Sequence, residues 1–149
     1  MLRKLITNSS MLALIASGCS GCSDGHSPEE MAVSGTSAKI QLLCDALLIE
    51  YGRSGAFPDD QVEFTQSITQ GPDALLRSSV LTDEWGRMVN YQKTQDSATI
   101  SSTAEDVSDP EDDISCSLKV EEAKGFVTRT SNNVFGRKIE VQQERLGAD

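Results

Sequence analysis

Apolar residues change their spacing several times along the 149-residue chain, and each change marks a different element. Met11-Leu12-Ala13-Leu14-Ile15-Ala16 is a short apolar run that follows Arg3 and Lys4 and ends in small residues. Ile40, Leu43, Cys44, Leu47, Leu48 and Tyr51 then recur at helical intervals, with Lys39, Gln41, Asp45 and Glu50 between them. That pattern predicts an amphipathic helix over 38–52, with Thr36 or Ser37 to cap its start and Gly52 or Gly55 to end it. Gly55-Ala56-Phe57-Pro58 turns the chain, since Pro58 cannot continue a helix. Gly71-Pro72-Asp73 reads as the start of a short helical piece at Ala74-Leu75-Leu76. Beyond it, Met88–Gln92 and Ala98–Ser101 have strand character around a polar turn at 93–97. Phe126–Thr130 and Lys138–Gln142 suggest a second hairpin, with Ser131-Asn132-Asn133 as its turn.

The order of the first 18 residues is basic, then apolar, then small, which is the order of an export leader. Its apolar part is too short to span a bilayer. Ala16-Ser17-Gly18-Cys19 resembles a bacterial lipobox, which implies diacylation at Cys19; an ordinary secretory leader cut near Ala16–Gly18 is the alternative. Both readings export the protein. Residues 19–37 are rich in Ser, Gly and acids and read as a flexible tether. The single histidine, His26, lies there, so the folded part has no histidine to act as a general base.

Charge narrows the partners. Thirteen Lys and Arg against 23 Asp and Glu give a net charge of -10. Loss of Arg3 and Lys4 with the leader leaves 11 against 23, or -12. Such a field repels nucleic acid and anionic lipid, so attachment to a membrane requires a covalent or apolar anchor. Aromatics are only 5% of the chain, so the core must be aliphatic. No Ser-His or Cys-His pairing and no Gly-rich phosphate loop stands out, and no catalytic residue is assigned.

Four features share an order with a known family. A helix ending in Tyr51 and Gly55-Ala56-Phe57-Pro58 is followed by Asp83-Glu84-Trp85-Gly86 and then by Val89-Asn90-Tyr91. Ile100-Ser101-Ser102 leads next into Asp106 and Asp112-Asp113-Ile114. This order resembles the soluble domain of the major, G-type pseudopilin of type II secretion systems over roughly residues 38–114. The resemblance implies an α+β fold, one long N-terminal amphipathic helix packed on a small antiparallel β-sheet. It also implies a calcium-binding loop, with Asp106 and Asp113 at the family's two aspartate positions. Ser102 would lend a carbonyl, with Asp109 and Asp112 as substitutes. A solvated acidic turn is the plainer reading of the same residues. Val107 stands where the family has glycine, and Glu84 where it has proline. The prepilin N-terminus with its long apolar helix has no counterpart here. Trp85 beside Gly86 suits a role in pinning its loop onto the helix.

Cys44 on the apolar face of the helix and Cys116 beyond the acidic loop either form a disulfide, which an exported location permits, or remain two buried thiols. Residues 117–149 read as a C-terminal extension. The expectation is an exported, lipid-anchored structural or interaction protein related to type II secretion, with secretion or pilus-type envelope proteins as partners. The alternative is a periplasmic metal- or ligand-binding lipoprotein unrelated to secretion.

Overall fold

A computed structural model describes residues 27–104, 112–121, 125–134 and 139–145. Helix α1 spans Pro28–Ser54, ten residues earlier at its start than the periodicity of 38–52 suggests. Ser27 explains the difference. Its side chain accepts from the Glu30 amide while the Glu30 carboxylate accepts from the Ser27 amide, a reciprocal capping box with Pro28 in the first turn. The Ser/Gly/acid composition that reads as a tether over 19–37 therefore belongs to the helix from residue 28 onward. At the other end Gly55 adopts a left-handed backbone (φ 75°) and its amide returns to the Tyr51 carbonyl, which stops the helix.

Helix α2 (Gln61–Thr69) starts at Asp60, whose carboxylate accepts from the amides of Val62 and Glu63. The helical piece expected at 74–76 does not form; the amides of Leu75 and Leu76 both turn back to the Ile68 carbonyl. A short 3-10 turn at Ser78–Leu81 leads to the sheet.

Five strands form an antiparallel meander in chain order: β1 (Asn90–Lys93), β2 (Ser97–Ser102), β3 (Ile114–Glu121), β4 (Phe126–Asn132) and β5 (Glu140–Arg145). The chain is thus α+β, with its long N-terminal helix packed on an antiparallel sheet. The two expected hairpins are present as β1–β2 and β4–β5. Ser131 and Asn132 belong to β4 rather than to the turn after it. Strand β3 was not anticipated, and it pairs with both β2 and β4. A boundary at 116/117 would cut β3 in two, and the second half of β3 with β4 and β5 completes the sheet rather than extending from it.

The core lies between α1, α2 and the inner face of the sheet. Ile40, Leu43 and Leu47 of α1 meet Ile100 of β2 and Leu118 of β3, all with no exposed surface. Cys44 and Cys116 lie in this layer and are joined in a disulfide across 72 residues. At one margin Phe64 stacks on Tyr91 with ring centroids 4.5 Å apart, and Tyr51 meets Phe57 at 4.7 Å. By length and composition α1 is apolar enough to cross a membrane, yet its inner face is committed to this core. Its apolar character extends to the opposite face, where Met31, Leu42 and Ile49 are each roughly half exposed, so it is less amphipathic than the spacing of 38–52 implies.

Candidate functional site

The turn at 82–87 is built around one carboxylate. Asp83 has almost no exposed surface, and its Oδ1 accepts from the amides of Trp85 (3.0 Å) and Arg87 (2.8 Å). Its Oδ2 accepts from the Ser102 hydroxyl at 2.8 Å and lies 3.7 Å from Arg87 Nε. Gly86 at φ 79° lets the chain reverse tightly enough for these amides to converge. A buried carboxylate is tolerated where donors surround it, and Asp83 has three hydrogen bonds and a cation.

The same turn is attached to α1. The Glu84 amide donates to Thr36 Oγ1 at 3.0 Å, and Lys39 Nζ reaches the Thr82 carbonyl and the Glu84 carboxylate, both at 2.8 Å. Gly35 makes room for this approach: a methyl group there would come within 2.8 Å of Glu84 Cγ. Polar bonds from residues 82–84 thus share the pinning of this loop with Trp85, which packs against the core. Trp85 is itself half-buried, beside Ser27–Ala32, with the Arg87 guanidinium 5.7 Å from its ring centre.

Through Ser102 the turn touches the acidic loop. Ser102 ends β2 and pairs with Ile114 at the start of β3, so the two ends of the 103–113 connection are neighbours. This brings Ser102, Asp112 and Asp113 to one end of the sheet. The Ser102 hydroxyl is occupied by Asp83, which leaves its carbonyl as the group it could offer to a cation. The Asp113 carbonyl accepts from Asn133 Nδ2 at 3.0 Å, a link from β4 that sequence reasoning missed. Asp112 Oδ1 is buried and has no hydrogen-bond partner among the described residues. A carboxylate oxygen removed from water without a donor is costly, and a hard cation would offset that cost. Asp106 and Asp109, the other expected ligands, lie outside the described residues, as does the proposed lipidation site Cys19. Among the described residues no three metal-binding side chains converge.

At the opposite end of the sheet, a cavity of about 350 Å³ is lined by Tyr51, Phe57, Lys93, Asp96 and Val120. Its one amine, Lys93 Nζ, is held by the Phe57 carbonyl and by Asp59. The nearby Tyr91 hydroxyl donates to the Pro58 carbonyl at 2.7 Å. Burial, and then the Glu63 and Asp59 carboxylates, push its ionisation well above the ordinary tyrosine range. These groups fasten the α1–α2 connection to β1 and form no nucleophile–base pair.

No protein family, curated protein or solved structure matches this chain in comparisons of its sequence and fold.

Proposed function

We propose that the protein is a non-catalytic, pseudopilin-like structural or interaction module, exported and anchored to a membrane by lipid at Cys19. The observation that carries this reading is the double attachment of the Asp83-x-Trp85-Gly86 turn. Thr36 and Lys39 hold it to the helix, and Ser102 holds it to the strand that enters the acidic loop. Residues that resemble family landmarks in the sequence are thereby in one connected arrangement. The polar groups in it are used for holding the chain together, as expected of a rigid presenting domain. The Cys44–Cys116 bond is compatible with an oxidising compartment.

Calcium belongs to the same reading. Asp112 Oδ1, with the Ser102 carbonyl and carboxylates from the acidic loop, would supply hard oxygen ligands, and the ion would hold the β2–β3 connection closed. Thermal melting in millimolar calcium tests it: the midpoint rises in the native chain, and the rise is lost in Asp112→Asn and in Asp106→Ala. An unchanged midpoint across the titration rejects the calcium site. Palmitate labelling of the native chain and of Cys19→Ala tests the anchor. Co-purification of the acylated protein with envelope secretion components tests the partner class.

A further inference from the structure

Helix α1 presents a second apolar face. Positions 31, 34, 38, 42, 45, 49 and 52 fall on one line along the helix, opposite the core-facing Ile40, Leu43 and Leu47. They are Met31, Ser34, Ala38, Leu42, Asp45, Ile49 and Gly52, all exposed, in a chain of which 24% is charged. The one charge among them, Asp45, is countered by Arg129 Nη2 at 2.6 Å. From Met31 to Ile49 the line runs about 27 Å, and the exposed Arg53 lies beside its C-terminal end.

We propose that this outward line of α1 rests on the surface of the bilayer that holds the lipid anchor. The inference depends on the anchoring at Cys19 proposed above. Pro28 lies nine positions beyond Cys19, and an extended chain of that length reaches at most about 32 Å. Helix α1 is therefore held close to the headgroups, and its first turn already carries Met31. An interfacial helix buries an apolar line and leaves its polar groups among the headgroups, where Arg53 would meet phosphate. Three half-exposed side chains bind weakly by themselves; the anchor supplies the local concentration that makes their contact persistent. A second copy of the chain fits the line less well. A stable pair uses about 20–30 residues a side, against seven on this line. Each copy also carries a net charge of -12 once the leader with Arg3 and Lys4 is removed, 11 Lys and Arg against 23 Asp and Glu.

The test uses the acylated full-length chain with Cys22→Ser, bearing an environment-sensitive fluorophore at Leu42→Cys or, in a separate preparation, at Ile49→Cys. Thr128→Cys on the outer face of the sheet is the control. Each is reconstituted in phosphatidylcholine vesicles containing a lipid-borne quencher. Leu42 and Ile49 lie outside the core, so their replacement leaves the fold intact. The expected result is at least twofold stronger quenching at 42 and 49 than at 128, with a blue-shifted emission. Equal quenching at all three positions in acylated protein that floats with the vesicles overturns the docking and leaves the anchor standing. Absence of acyl mass at Cys19 removes the anchor and the docking together. Protection of position 42 in vesicle-free protein that sediments as two chains assigns the line to a second copy and also overturns the proposal.

Discussion

The two sides of the sheet are held in unlike ways. β1, β2 and β3 lie under α1 and α2, with aliphatic packing, the Cys44–Cys116 bond and the Asp83 turn all acting on the same few strands. β4 and β5 extend past the helices. β4 is joined to α1 by two polar links, Gln41 Nε2 to Ser131 Oγ at 3.0 Å and Arg129 Nη2 to Asp45 at 2.6 Å. Arg129 also lies 3.3 Å from Glu144 of β5, so one largely buried guanidinium bridges helix, fourth strand and edge strand. Val141 of the edge strand and Ile139 just before it are exposed. Apolar packing, a covalent bond and a buried carboxylate thus support one side together. On the other side Val127 of β4 joins the apolar core, and the links to α1 are polar.

The largest expected effect comes from the disulfide. Replacing Cys44 and Cys116 together by alanine frees a loop of about 70 residues and costs about 4 kcal/mol in the chain-entropy view, read as a lower denaturant midpoint. Asp83→Ala comes next. It strands the amides of Trp85 and Arg87 and the Ser102 hydroxyl, and costs about 3 kcal/mol, whereas Ser102→Ala costs about 1 kcal/mol. Equal losses from the two substitutions would show that Asp83 is not the organising group.

Arg129→Ala should cost about 1–2 kcal/mol, because its partners Asp45 and Glu144 are themselves partly exposed. Its distinguishing result is local. Amide exchange should accelerate in β4 and β5 and stay unchanged in β2 and β3. Uniform acceleration would erase the contrast between the two sides.

The smallest effect is confined to high pH. The folded state holds the Tyr91 proton more tightly than the unfolded chain does, through burial and then the Glu63 and Asp59 carboxylates. This contribution is complete below the free tyrosine range near pH 10 and is lost as pH rises beyond it. Melting points measured upward from pH 9 should fall less steeply in Tyr91→Phe than in the native chain.

Local chemistry accounts for most of what could be read in advance. The periodicity of Ile40, Leu43, Cys44 and Leu47 reveals the core face of α1 because a helix repeats its contacts every three or four residues. Strand alternation likewise reveals β1, β2, β4 and β5. Two helix starts lie in polar stretches and are marked by their caps rather than by apolar periodicity. Ser27-Pro28-Glu29-Glu30 is a helix start hidden in a polar stretch, and Asp60-Gln61-Val62-Glu63 is another. β3 carries its own alternation, with Ile114, Cys116 and Leu118 buried and Ser115, Ser117 and Lys119 turned outward.

The sequence by itself determined the core-facing stretch of α1, the strands β1, β2, β4 and β5 and the largely aliphatic character of the core, because these depend on residue type and short-range spacing. It left Cys44 and Cys116 as either a pair or two thiols. Only the tertiary structure decided that Asp83 gathers Trp85, Arg87 and Ser102, that Thr36 and Lys39 hold the turn, and that Arg129 carries the sheet's far edge. Apart from the local bonds of Asp83 to Trp85 and Arg87, each of those joins residues distant in the chain. Many polar side chains could satisfy the same composition, and only the packing of helix on sheet selects which of them meet.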